Sequence, residues 1–247
     1  WNNIAYQLSL KNTHLDRAQQ YAESAVAATS AALRNLTVEQ LTNRDLALVP
    51  SLMSYWDTLG WVYFARGDFD KAEKYVGAAW VLGQHGEVGD HLAQIYEKRG
   101  RKEDAIRLYA QAMSAYRPEP ETKDRLAKLA GDQGKLQSLV EKHRGETQSA
   151  RTVSLGKIAK KTASADFFVL LSASPGGNGT NVEAVKFISG DESLKGMAEA
   201  LRTAKYDAKF PDEAPTKILR RGVLGCSTTT GDCSFVLMLP DDVLSPD

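Results

Sequence analysis

Residues 56–112 contain one phrase written twice. Trp56, Leu59, Gly60 and Tyr63, followed by Ala72 and Ala79, are answered by Leu92, Ala93 and Tyr96, followed by Ala105 and Ala112. Gly60 and Ala93, Ala72 and Ala105, and Ala79 and Ala112 all stand 33 residues apart. A recurrence of that length marks stacked helix–turn–helix units, each too small to bury its apolar face alone. Small side chains at the recurring positions let paired helices approach to about 8–10 Å, while Leu, Tyr and Trp fill the spaces between them. The turns are signalled too. Arg66-Gly67-Asp68 and Arg99-Gly100-Arg101 place a glycine where a helix ends on a left-handed residue.

This pattern resembles the tetratricopeptide repeat (TPR), matched at Trp56, Leu59, Gly60, Tyr63, Ala72 and Ala79, and again at Leu92, Tyr96, Ala105, Tyr109 and Ala112. A weaker copy opens the chain, with Ile4, Ala5 and Leu8 followed by Leu15, Ala18, Tyr21 and Ala25. Residues 33–47 exceed the period, and Thr37-Val-Glu-Gln40 is predicted to be the capping box of a short extra helix. After Pro118 and Pro120, apolar residues at Leu126, Leu129, Ala130, Leu136, Leu139 and Val140 predict a final helix pair over about 119–144, turning at Gly131-Asp-Gln-Gly134. It lacks the repeat signature and is expected to shield the last apolar face. Residues 1–144 are thus expected to form an all-α, TPR-like helical repeat domain.

From about residue 165 the apolar period changes to alternation. Asp166–Leu171 and Val182–Ile188 flank the turn-rich Ser174-Pro-Gly-Gly-Asn-Gly179 and predict a hairpin. Asp191 is a candidate N-cap for a helix carrying Leu194, Met197, Ala198 and Leu201 on one stripe. Two further strands are predicted at Lys217–Cys226 and Cys233–Leu239. Residues 165–247 should therefore fold as a small α+β domain. Residues 145–164 are either a linker or an added edge strand at Arg151–Lys157.

Gly179, Val182, Val185, Phe187, Ser189, Gly190, Asp191, Leu194, Ala198, Leu201 and Arg202 follow a spacing that resembles the carboxy-terminal domain of TonB-like proteins. That resemblance implies a sheet edge able to accept a short peptide strand from a partner. The membrane anchor and proline-rich spacer of that family have no counterpart in these residues, so energy transduction is not carried over.

Composition narrows the chemistry. With 31 basic and 31 acidic residues in 247, the formal charge is zero, and no field recruits nucleic acid or an anionic membrane. No run of 18 apolar residues predicts membrane insertion. Trp1-Asn2-Asn3 is neither an initiator methionine nor a signal peptide, so the parent protein is expected to continue upstream. Cys226 and Cys233 are the only cysteines and flank six residues in a hairpin. A disulfide there would contribute about 2.5 kcal/mol on the chain-entropy model and imply an oxidising, extracytoplasmic and periplasm-like compartment. Two reduced thiols remain the alternative, whereas zinc would need two more ligands that no nearby residue supplies. His85 and His91, near Glu87 and Asp90, are poorly aligned for a metal at a spacing of six. No catalytic motif is present, so the expectation is a protein that is not an enzyme and holds no cofactor.

What remains is the face that such repeats turn toward a guest. The TPR resemblance implies a peptide groove at Tyr6, Asp57, Trp61, Phe64, Asp90, Gln94 and Glu97, with aromatic anchors inside an acidic rim. The basic and asparagine residues with which some TPR proteins clamp a terminal carboxylate are replaced by Thr58, Glu87 and His91. The implied partner is therefore a basic or apolar segment of a protein. An alternative role is a regulatory or positioning appendage of an upstream peptidase- or transglutaminase-like enzyme domain.

Overall fold

The computed structural model describes every residue except 158–162, 175–178, 212–215, 228, 241 and 243–247. Two compact units emerge, residues 1–28 with 51–149, and residues 29–50 with 150–247.

The helices up to residue 150 are α1 (Asn2–Leu10), α2 (Leu15–Arg34), the one-turn α3 (Asn43–Leu46), α4 (Leu48–Ala65), α5 (Phe69–Gly83), α6 (Gly86–Lys98), α7 (Lys102–Met113), α8 (Thr122–Ala130) and α9 (Leu136–Ala150). Apart from α3 they follow one another as four helix–turn–helix pairs. The recurring small residues sit where helices touch: Ala72, Ala79, Ala93, Ala105 and Ala112 are all fully buried. A Cβ added at Gly60 would lie 2.5 Å from Val76 Cγ2 and 3.2 Å from the Ala72 carbonyl oxygen, so α4 and α5 meet at a distance that only glycine permits.

The turns repeat atom for atom. Gly67 N–H donates to the Phe64 carbonyl and Asp68 N–H to the Tyr63 carbonyl, at 3.0 and 2.9 Å. Thirty-three residues on, Gly100 donates to Glu97 and Arg101 to Tyr96, at 3.1 and 2.9 Å. Both are Schellman endings with glycine at φ +79° and +73°. The first pair closes the same way, with Asn12 at φ 48° in the glycine's place and Thr13 donating to the Leu8 carbonyl. Asparagine tolerates the left-handed region, which is why the first copy is complete in structure while faint in sequence. The ion pairs repeat as well: Arg66 meets Asp16 in the first turn of α2, and Arg99 meets Asp70 in the first turn of α5.

The extra helix after the first pair is present but displaced from the predicted Thr37–Gln40. Its capping box is Thr42 with Asp45, where Asp45 N–H donates to Thr42 Oγ1 and Thr42 N–H donates back to Asp45 Oδ2. Residues 37–40 do not coil because Leu36 and Val38 are drawn into the core as neighbours in a bent segment.

In the second unit, strands β1 (Thr152–Lys157), β2 (Ala163–Ala173), β3 (Thr180–Gly190), β4 (Lys217–Cys226) and β5 (Asp232–Leu237) form one antiparallel sheet in the order β1-β5-β4-β2-β3. Within residues 145–164, Thr152–Lys157 form a strand that adds to the β5 edge with a bulge near Gly156. Ala165, Phe167, Val169 and Leu171 alternate onto one buried face with Leu224, Cys226, Cys233 and Phe235. Asp191 caps the helical segment as expected, accepting from Ser193 N–H, but its first turns, Glu192–Met197, are a 3-10 helix before α10 (Ala198–Thr203). Leu194 and Leu201 supply the buried contacts of that segment. Most of the expected hairpin turn between β2 and β3, residues 175–178, lies outside the described residues. Residues 29–50 cluster with this unit, and Lys186 Nζ on β3 donates to the Glu39 carbonyl at 3.2 Å. Cys226 and Cys233 are register partners on β4 and β5 and form a disulfide with Cα atoms 4.1 Å apart.

Candidate functional site

The first helices of the four pairs, α1, α4, α6 and α8, are linked side to side by polar groups. Tyr6 on α1 donates its hydroxyl proton to Glu87 Oε1 on α6 at 2.6 Å. Asp57 on α4 faces His91 on α6, with Nδ1 at 3.0 and 3.1 Å from the two carboxylate oxygens. Asp90 on α6 accepts from Thr122 Oγ1 at 2.8 Å, Arg125 Nη1 at 2.7 Å and Gln94 Nε2 at 2.7 Å. Tyr109 on α7 donates to Glu97 at 3.0 Å.

These partners settle the burial of an unusual density of ionisable groups. Asp57, Asp90 and His91 are all buried, and each has the hydrogen-bonded or charged partner that burial demands. Burial alone would pull the His91 pKa down, but the facing Asp57 carboxylate, helped by Glu87 and Asp90, holds it above the usual imidazole value. Burial beside Glu87 pushes the Tyr6 hydroxyl well above the usual tyrosine range. Burial also raises Glu119, with Glu87, Glu121 and Asp90 adding like charge nearby.

An aromatic column runs through the same face. The Trp61 ring stacks at 4.0 Å on the imidazole of His91 and at 4.5 Å on Phe64, with interplanar angles of 16° and 11°. Phe64 in turn leans on Phe69 at 5.7 Å, and Tyr6 tilts toward His91 at 6.2 Å. Trp61 is 9% exposed, so its ring belongs to the wall between α4 and α6, whereas Phe64 is half-buried. The structure therefore sorts the residues implied by the resemblance. Asp57, Asp90 and Trp61 lie in the wall, Tyr6, Phe64 and Gln94 are half-buried, and Glu97 is exposed. His91, Glu87, Glu119, Thr122 and Arg125 join them. Glu119 and Thr122 lie at the start of the last pair, where no repeat signature points to them, so sequence spacing had no means of assigning them to this face.

Among the described residues no cluster of three or more His, Cys, Asp or Glu is arranged to hold a metal ion. No described helix is long and apolar enough to cross a membrane.

The architecture is a TPR-like helical repeat followed by a small α+β sheet. A family model for the tetratricopeptide repeat matches residues 90–123, which run from Asp90 in α6 through α7 to the second residue of α8. Neither a curated protein nor a solved structure matches the chain significantly. The repeat belongs to a class of modules that bind other proteins and are generally not enzymes.

Proposed function

We propose that this protein holds a protein partner on the face shared by α1, α4, α6 and α8, and that the guest is a basic or apolar segment. The observation that carries the reading is the imbalance of charge around that face. Glu87 and Glu119 lie near the half-buried Tyr6, and Glu121 lies near Glu119, while the cations there, Arg125 and His91, are already held by Asp90 and Asp57. Burial and then the like charges of Glu87, Glu121 and Asp90 raise Glu119, and an incoming lysine or arginine would offset the like-charge part. Trp61 and the His91–Asp57 pair act as the rigid floor beneath the guest, and Phe64 as the ring it touches. A guest anchored by its terminal carboxylate is disfavoured, because Thr58 is buried and His91 is occupied by Asp57.

The sheet unit is proposed to be TonB-like, with its β1 and β3 edges available to an extended peptide. We infer an extracytoplasmic, periplasm-like compartment, a reading that the Cys226–Cys233 disulfide supports because such bridges persist where the surroundings are oxidising.

Titration calorimetry with short peptides rich in lysine, in apolar residues and in glutamate tests the groove. The lysine-rich or apolar peptide should bind, Glu87→Gln with Glu119→Gln should weaken the lysine-rich one about tenfold, and Phe64→Ala should weaken both. Preferential binding of the glutamate-rich peptide would overturn the reading.

A further inference from the structure

Helix α1 leaves open a stripe that its counterparts bury. Asn3, Ile4 and Gln7 correspond, 55 residues on, to Thr58, Leu59 and Val62 in α4 and, 88 residues on, to His91, Leu92 and Ile95 in α6. Those counterparts are all buried. His91 shows against what, since it meets Asp57 on the first helix of the preceding pair. On α1 the same positions face solvent. Ile4 is 50% exposed, Leu10, nearly two turns on, is 52% exposed, and Asn3, Gln7 and Lys11 beside them are exposed too. Asn3, Ile4, Gln7, Leu8 and Lys11 line a shallow hollow of about 310 Å³ on this side of the helix.

The stripe reads alike in both directions. Around Gln7, Ile4 and Leu10 each stand three places away and Asn3 and Lys11 each stand four, so apolar and polar positions mirror one another. Residues at those spacings share one helix face. A second α1 laid antiparallel would therefore set Ile4 against Leu10, Gln7 against Gln7 and Asn3 against Lys11. Each contact suits its chemistry: apolar meets apolar, the two Gln7 amides both donate and accept, and the Asn3 amide oxygen accepts from the Lys11 ammonium. No side chain from Asn2 to Leu10 is charged. The two Lys11 ammonium groups would stand about 12 Å apart along the axis at 1.5 Å per residue, beyond the screening length of about 8 Å at physiological salt. Such a surface does not repel its own image. The last helix of the array offers no comparable match, because Gln137, Glu141, Lys142 and Arg144 on α9 are exposed and polar, which argues against head-to-tail stacking of copies.

We propose that two copies of this chain pair antiparallel through α1, about a two-fold axis at Gln7, with Leu10 of each copy entering the hollow beside Ile4 of the other. A stripe of five side chains is small beside the roughly 20–30 residues that a standard interface takes from each partner, so the pairing is weak, with a dissociation constant on the order of 100 µM. Two joined copies carry two helical faces, and a guest with two matching segments gains avidity.

Sedimentation equilibrium on the full chain, from about 10 µM to about 1 mM to bracket that constant, tests the pairing. A reversible monomer–dimer equilibrium is expected. Ile4→Asp with Leu10→Asp should weaken it at least about tenfold, whereas Val223→Asp, at an exposed apolar residue of the sheet, should leave it unchanged. With dissolved oxygen as oxidant and the Cys226–Cys233 bridge intact, Gln7→Cys should yield a dimer cross-linked between copies, and Gln20→Cys, exposed on α2, should not. A monomer at every concentration would overturn the proposal and leave the stripe to a foreign helix. So would a dimer that survives the double aspartate variant, or one lost equally with Val223→Asp. If the double variant loses helicity, Gln7→Glu decides in its place: two carboxylates meeting at the axis should weaken pairing about tenfold, less so at high salt, and undiminished pairing would overturn the proposal.

Discussion

His91 and Asp57, 34 residues apart on α6 and α4, form a buried pair in which one imidazole nitrogen reaches both oxygens of the carboxylate, and Trp61 closes over it. Removing one partner leaves the other charge buried and uncompensated. Asp57→Ala should therefore destabilise the helical unit by about 3–5 kcal/mol, far more than the loss of a surface pair. Replacing Asp57 and His91 together by Leu and Met should recover most of that loss. Urea denaturation followed by tryptophan fluorescence measures both, since all four tryptophans, Trp1, Trp56, Trp61 and Trp80, fall within residues 1–28 and 51–149. A double variant no better than Asp57→Ala would show that the pair does not act as a unit.

The same pair predicts a pH dependence whose sign follows from His91. Its pKa is raised in the folded state, above the 6.5 of an unperturbed imidazole. Its stabilising contribution is therefore fully present below pH 6.5 and is lost as pH rises through the folded value. Unfolding free energy should fall on the alkaline side of neutrality in the wild type, and this component should vanish in His91→Gln. A wild-type profile that instead rises across that range would mean that His91 is buried neutral.

The repeat was legible because close packing leaves its mark on residue size. Gly60, Ala72, Ala79, Ala93, Ala105 and Ala112 are small for a steric reason that shows as spacing, and the glycine turns show through the left-handed backbone they require. What stayed hidden depended on partners distant in sequence. Nothing local distinguishes Thr37-Val-Glu-Gln40 from Thr42-Asn-Arg-Asp45 as a capping box; the choice falls to Leu36 and Val38, which are buried and keep the earlier stretch from coiling. Thr122 and Arg125 belong to the candidate site only because Asp90, more than 30 residues earlier, needs donors.

Gly60 offers a direct measure of helix approach. Its hypothetical Cβ would meet both a side-chain methyl and the backbone nitrogen of Val76, at 2.5 and 2.9 Å, so the helices themselves must shift to admit it. Gly60→Ala should cost about 1–3 kcal/mol despite the higher helix propensity of alanine. Gly77, on the neighbouring helix with nothing within 4 Å of an added Cβ, serves as the control. Gly77→Ala should be neutral or stabilising by up to about 1 kcal/mol. Equal effects at the two sites, read by thermal unfolding, would remove the steric account of the repeat.

The Cys226–Cys233 bridge ties β4 to β5, and β5 carries β1 as its outer neighbour. Closing so short a loop limits its value to about 2.5 kcal/mol. Cys226→Ser with Cys233→Ser should lose roughly that much stability in the sheet unit without unfolding it. Hydrogen exchange should show Val153–Lys157 and Cys233–Leu237 opening faster, with the helical unit unchanged. Uniform acceleration across both units would place the effect elsewhere.

Glu119 connects the proposed guest to proton uptake. In the free protein, burial and the carboxylates of Glu87, Glu121 and Asp90 raise its pKa above the ordinary 4.5, so over the interval between those values it binds protons that an isolated glutamate would release. A lysine-rich guest placed among those carboxylates favours the ionised form and pulls the pKa back down. Binding should therefore release protons in that interval, and affinity should increase as pH rises from 4.5 through the raised pKa, then level off. Calorimetry in two buffers of different ionisation enthalpy counts the released protons directly. Glu119→Gln should flatten the pH dependence while retaining binding through Glu87 and Phe64. A wild-type affinity that falls over the same interval would show that the guest does not bring its positive charge to this face.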